Sequence, residues 1–220
     1  MKTLRIALVI AGLAAAGQAQ AVGVGVRAGT TGLGGDFGFS IAPTLLARIG
    51  YSWLDYGMDV EATDMKYDGK LKLSNLSALL DWSPLGPFRV TGGFVFNDNR
   101  VNVTSVPVGG TYTLNGNTYN ANAVGSIEGE VKVGNKAAPY LGIGYGNVAT
   151  AGVNFYFDLG VIFQGSPTAS LTANCAPAIA GTPACSKLQS DVQAEEERLA
   201  NDIAGLKYYP VANIGITVGF

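Results

Sequence analysis

Five isolated charges carry most of the chemistry this sequence could perform: Arg27, Arg48, Arg89, Asp81 and Asp158. The three arginines and Asp158 occupy the second face of alternating apolar segments, and Asp81 joins them if the register holds past Asn75. A single charge in a narrow enclosure is costly, so pairing is expected. Paired charges can fill an interior with salt bridges, or line a small pore and select what passes. Both readings stay open here. Histidine is absent from the 220 residues, which removes the commonest general acid/base and a leading zinc ligand.

Other chemical candidates are weaker. Gly23 to Ala28, "GVGVRA", fits G-x-G-x-x-A in letters only, because dinucleotide binding needs a strand-to-helix turn and no helix follows. Asn97 to Arg100, "NDNR", lacks the glycine and distal glutamate of a calcium loop and reads as a polar rim. The acidic run Glu195 to Glu197 reads as a solvated face. No catalytic, cofactor-binding or metal-binding set is assigned, and no cofactor is expected. Cys175 and Cys185 are expected to form a disulfide in an oxidising compartment.

The elements that must position the charges alternate with period two. Val22, Val24 and Val26 oppose Gly23, Gly25 and Arg27; Leu45, Ala47, Ile49, Tyr51 and Trp53 oppose Leu46, Arg48, Gly50 and Ser52. Phe88, Val90, Gly92, Phe94 and Phe96 oppose Arg89, Thr91, Gly93 and Val95. Val153, Phe155, Phe157, Leu159, Val161 and Phe163 oppose Asn154, Tyr156, Asp158, Gly160, Ile162 and Gln164. Ala212, Ile214, Ile216, Val218 and Phe220 oppose Asn213, Gly215, Thr217 and Gly219. One face is oily and aromatic over about nine to eleven residues, the length a tilted strand needs to cross a bilayer. That face belongs against lipid, with glycine and charge inside.

Composition agrees. Gly supplies 31 residues, about twice its usual share, and charged residues only 14%. Acidic and basic totals, 16 and 14, nearly cancel, so no basic stripe marks a nucleic-acid partner. Lys2 and Arg5, the apolar run from Ile6 to Ala16 and "AQA" at Ala19 to Ala21 predict a cleaved signal peptide over 1–21. Residues 22–220 then form one domain, with both termini in the periplasm.

Short turns are expected at Pro43, Ser83 to Pro87, Gly134 to Pro139 and Gly165 to Pro167. Longer outer breaks are expected at Glu61 to Gly69, Ser105 to Asn122, "GNVATAG" at Gly146 to Gly152, and Ala173 to Lys207. Splitting the first stretch at Thr31 and Gly32, with a short strand at Thr168 to Thr172, gives ten strands, the preferred count. Reading Val22 to Ile41 and Val153 to Thr172 as single long strands gives eight. The fold class is therefore all-β: a closed antiparallel transmembrane barrel of 8–10 strands with one amphipathic helix before the last strand. That helix is expected over about 186–205, with Ser186 and Gln189 as capping box and Gly205 as stop. Tyr51, Trp53, Trp82, Phe88, Tyr140, Tyr208 and Tyr209 are expected in interfacial girdles.

The leader, the alternating strands, "PYLGIGYG" at Pro139 to Gly146 and the terminal "GITVGF" together resemble small Gram-negative outer-membrane β-barrels of the OmpA and OmpX kind. The resemblance implies a cell outer-membrane location, surrounding lipid as a partner, and insertion by the barrel-assembly machinery. The insertion signal would be Phe220 with Ile214, Ile216 and Val218. It implies no peptidoglycan binding, since no second domain is expected after the barrel. The expected role is a non-enzymatic structural envelope component or narrow passive channel. The alternatives are adhesion through outer loops and, less favoured, a membrane-embedded lipid- or peptide-modifying enzyme.

Overall fold

The computed structural model describes residues 21–62, 65–107, 110–120 and 124–220. The expected signal peptide lies outside the described residues, save Ala21.

Thirteen strands and one helix are present among the described residues. They are β1 (Val22–Gly29), β2 (Gly32–Ala42), β3 (Leu45–Ala62), β4 (Met65–Leu85), β5 (Phe88–Asn97), β6 (Arg100–Pro107), β7 (Thr111–Leu114), β8 (Asn117–Asn120), β9 (Val124–Lys132), β10 (Ala137–Tyr145), β11 (Gly152–Phe163), β12 (Thr168–Cys175), α1 (Pro183–Ile203) and β13 (Tyr208–Gly219). All pairings between them are antiparallel. Following β1 through β2, β3, β4, β5, β10, β11 and β13 leads back to β1.

The remaining long strands prolong the same wall. Asn75 faces Asn97 at the end of the β4–β5 ladder, and Lys72 faces Arg100 at the start of the β4–β6 ladder, so the register runs on. β9 stands beside β6 as β10 stands beside β5, and β12 stands beside β9 as β11 stands beside β10. Buried Asn99 ties the joint: its Oδ1 accepts the Ser74 N–H at 2.9 Å and its amide donates to Asn75 Oδ1 at 3.1 Å.

Several expectations are corrected. The wall is not a ten-strand set: eight strands pair in succession, and the strand at 168–172 continues the line of β11. Residues 134–136 and 165–167 are joints in that wall instead of hairpin turns, because the chain runs on beside the same neighbours. The "NDNR" stretch is such a joint as well, with Asn97 and Asn99 buried. "GNVATAG" belongs at the same end as the Pro43 and Pro84–Pro87 turns, since β10 ends and β11 begins level with the ends of β13 and β5. The described residues of Ser105 to Asn122 form the end of β6 and the β7–β8 hairpin, turned by Asn115 (φ 48°) and Gly116 (φ 75°). An Asn-Gly pair at positive φ suits a two-residue hairpin turn.

The helix starts at Pro183, three residues before Ser186, with Thr182 as N-cap and no side-chain cap bond. Proline is pre-set for the first helical turn and displaces the expected capping box. Leu188 and Val192 are buried against Val124 and Ala173, and the Cys175–Cys185 disulfide pins the helix to β12. Burying each of these two side chains stabilises by roughly 1.5–3 kcal/mol.

The polarity of the wall inverts part-way along β3 and β4. In β3, Ile49, Tyr51 and Trp53 are exposed while Arg48, Gly50 and Ser52 are buried. Beyond Trp53 the same outward positions carry Asp55, Gly57 and Asp59, and the inward ones Leu54, Tyr56 and Met58. In β4, outward Leu76, Leu80 and Trp82 give way to Ser74, Lys72 and Lys70, while inward Asp81, Ser77 and Asn75 give way to Leu73 and Leu71. A wall that is oily outside and polar inside thus becomes polar outside and oily inside. Such an inversion is what a wall passing from an apolar to an aqueous surrounding needs.

Candidate functional site

The enclosed face of the pairing strands gathers the five sequence-identified charges. Arg27 and Arg48 lie on β1 and β3, Asp81 on β4, Arg89 on β5 and Asp158 on β11, and all five are buried. Each lands inside because its strand alternates and the oily neighbours take the outer positions.

Arg48 is the hub and is 1% exposed. Its Nε donates to Asp81 Oδ2 at 2.8 Å and its Nη1 to Asp158 Oδ2 at 2.8 Å, while Nη2 reaches Asp81 Oδ1 at 3.0 Å and Asp158 Oδ1 at 3.2 Å. Arg89 closes the other side: Nη2 donates to Asp158 Oδ1 at 2.5 Å, and Nε stands 3.5 Å from Asp81 Oδ1. The Thr91 hydroxyl donates to Asp81 Oδ1 at 2.6 Å. Arg27 Nη1 pairs with Asp36 Oδ1 at 2.7 Å, and the Tyr156 hydroxyl donates to the other Asp36 oxygen. The guanidinium carbons of Arg48 and Arg89 sit 5.8 and 5.5 Å from the Tyr156 ring centroid. Three arginines against three aspartates make the set formally neutral.

Two members, Asp36 and Tyr156, escaped sequence reasoning as partners. The alternation of Asp36 with Phe37 and Phe39 carried the signal for the first, and Tyr156 already shared a face with Asp158. Glycine makes room for them. A Cβ on Gly215 would collide with the Tyr156 ring, and one on Gly50 with the Asp36 carboxylate.

The interior is filled at several levels. Leu79, Val95, Ala138, Tyr140, Ile162 and Val211 form an apolar cluster. Tyr140 therefore points inward, against the girdle expectation, because Leu141, Ile143 and Tyr145 take the outer positions of β10. A cavity bordered by Arg27, Arg48, Asn75, Tyr140, Asp158 and Asn213 has a volume of about 20 Å³, room for about one water. At the end holding Val22 and Phe220, the loop after β10 folds into the mouth: Val148 is 0% and Ala149 3% exposed. Arg89 Nη1 donates to the Gly146 carbonyl and fixes the loop's start.

The outer face carries the lipid-type residues. Val153, Phe155, Phe157, Leu159 and Phe163 are exposed along β11, as are Ile214, Ile216, Val218 and Phe220 at the chain's end. Tyr51 stacks with Trp53 at one rim, and Phe88 meets Tyr145 edge-on at the other. Trp82 and Tyr208 are also exposed, whereas Tyr209 is half-buried and donates to the Thr30 carbonyl at 2.5 Å.

Beyond the inversion, Asp191 of α1 accepts hydrogen bonds from the Tyr119 hydroxyl, Asn117 Nδ2 at 2.9 Å, Asn115 Nδ2 at 3.2 Å and Lys187 Nζ at 3.2 Å. The Tyr119 bond, helped by Asn115 and Lys187, holds the Asp191 carboxyl below its ordinary pKa. Its position anchors the β7–β8 hairpin to the helix.

No protein-family model matches the chain, and no curated protein matches it in sequence. Solved structures do. CarO of Acinetobacter baumannii is 24% identical over 90% of this chain and 97% of its own, with a TM-score of 0.59. CarO2 of the same organism is 25% identical over 92% and 100%, with a TM-score of 0.61. A major outer membrane protein from Thermus thermophilus is 17% identical over 92% and 100%, with a TM-score of 0.44. The antiparallel sheet with one helix before its last strand, and its likeness to CarO, give this chain the fold of the outer-membrane β-barrel proteins.

Proposed function

We propose that this protein is a non-enzymatic structural component of the Gram-negative outer membrane: a closed barrel whose lumen is a packed, neutral core. Its leader is removed after Ala21, both ends of the mature chain face the periplasm, and Ile214, Ile216, Val218 and Phe220 present the insertion signal to the barrel-assembly machinery. The observation that carries the reading is Arg48, which bridges Asp81 and Asp158 within the enclosed space at 2.8 Å to each. Mutually paired charges beside a cavity of only about 20 Å³ favour a filled interior over a path for a hydrated solute. Of the two roles open to the charges, filling is favoured over selection.

Asp36, Asp81 and Asp158 are each engaged by arginine, so none is poised as a free base. The test is conductance of the refolded protein in planar bilayers. A silent membrane is expected; stable unitary steps would assign the narrow-channel role.

A second reading, recognition at the cell surface, is favoured by the inverted half of the wall. Tyr56 and Met58 on its inner face are 55% and 49% exposed. Deleting residues 111–120 and comparing cell binding tests it: unchanged binding removes that hairpin as the contact.

A further inference from the structure

The wall's outer face carries a basic row immediately beyond the membrane boundary. Lys72 of β4 faces Arg100 of β6, which faces Lys132 of β9, three cations on adjacent strands in one register. Their side chains are 41%, 35% and 49% exposed. Lys72 lies one outward position past Ser74, the residue paired with Trp53. Two residues along a strand span about 6.6 Å, which sets the row at headgroup height if the Trp53 indole lies at the edge of the hydrocarbon. From Lys72 to Lys132 the row is about 10 Å wide, two inter-strand spacings.

Like charges directly opposite on a sheet repel, so such a row calls for anions. Its own acids serve Lys72 and Arg100 loosely and Lys132 closely. Asp55 Oδ2 is 4.0 Å from Lys72 Nζ and Asp98 Oδ2 is 3.7 Å from Arg100 Nη2, while Glu130 pairs with Lys132 on its own strand. Exposed pairs of this kind contribute little, and a phosphate oxygen can displace a carboxylate at small cost.

We propose that Lys72, Arg100 and Lys132 form a docking row for the phosphate headgroups of outer-leaflet lipid, anchoring the barrel's depth and orientation. A second copy of this chain is a poorer occupant, since two such rows would repel. The inference rests on the membrane reading above, and its test separates the two.

Trp53 and Trp82 are the chain's only tryptophans, so a Trp82→Phe background makes Trp53 a local reporter. The protein is reconstituted in phosphatidylcholine vesicles containing brominated phosphatidic acid or brominated phosphatidylcholine, and quenching gives the relative affinity of the two lipids beside Trp53. Enrichment of phosphatidic acid of roughly fivefold is expected. K72Q/R100Q/K132Q should return the ratio to about one, and D55N/D98N/E130Q, which frees the cations, should raise it. Excess inorganic phosphate, at about 10 mM, should leave the preference standing; its loss would mark a soluble-anion site and overturn the lipid assignment. A ratio near one in the background protein, or one unmoved by the triple glutamine variant, also overturns the row. Absence of quenching by brominated phosphatidylcholine would instead overturn the membrane placement.

Discussion

Arg48 and Asp158 meet across the enclosed interior, Nη1 to Oδ2 at 2.8 Å, although their strands are not neighbours in the sheet. β3 and β11 are thus joined by side chains as well as through the wall. The pair is fully buried, so its partners are valuable for what their loss would expose.

Replacing Arg48 with Met should leave Asp81 and Asp158 sharing Arg89 alone. A loss of about 3–5 kcal/mol is expected for breaking one side of a buried network, read as a lowered midpoint of urea unfolding in lipid vesicles. R48M/D158L, which removes one carboxylate as well, should recover part of that loss. Equal stability of R48M and wild type would show that the network is not held as described.

The mouth loop should depend on glycine. A Cβ on Gly23 would strike the Val148 carbonyl, and backbone cannot give way as a flexible side chain can. Gly23→Val should expel the loop and open the Asn147–Thr150 segment to protease added at that end, whereas Val24→Leu, on the lipid-facing side, should leave it protected.

Much of this was legible because membrane strands obey a simple rule. Alternation alone assigns Arg27, Arg48, Arg89, Asp81 and Asp158 to one side and Phe155 or Ile216 to the other, since a one-residue slip would put charge in lipid. The strand plan was less legible. Joints at 98–99, 133–136 and 164–167 carry the Asn, Gly and Pro that also make hairpin turns, and only pairing partners distinguish a bend from a reversal. Tyr140 misled for a related reason: aromatic residues suit girdles, but parity placed it inside. The inversion in "YSWLDYGMD" was readable in principle, because the oily positions change parity after Trp53 while the strand continues.

The disulfide should stabilise the docked helix. Cys175 and Cys185 are ten residues apart in sequence, and closing so short a loop contributes roughly 2–3 kcal/mol. The double serine variant should show faster amide exchange across Pro183–Ile203, with the β1, β11 and β13 amides unchanged.

Acid should release the hairpin from the helix. The folded-state pKa of Asp191 is lowered, so its contribution is present above the unfolded value, about 3.9, and is lost as pH falls through the folded one. Exchange at Asn115, Asn117 and Tyr119, taken relative to the intrinsic amide rate at each pH, should be slow at neutral pH and accelerate below about pH 4. Asp191→Ala should show the fast behaviour at every pH.

The most direct test of the account is a nitroxide scan of β3 from Ala47 to Asp59 in lipid vesicles, read for collisions with oxygen and with a water-soluble nickel chelate. Labels at positions 47, 49, 51 and 53 should be oxygen-accessible and those at 48, 50 and 52 shielded from both reagents. From 55 outward the alternate positions should switch to the nickel reagent. Uniform accessibility along the strand, or oxygen access continuing through Asp55 and Asp59, would contradict a wall that is oily outside in lipid and polar outside in water.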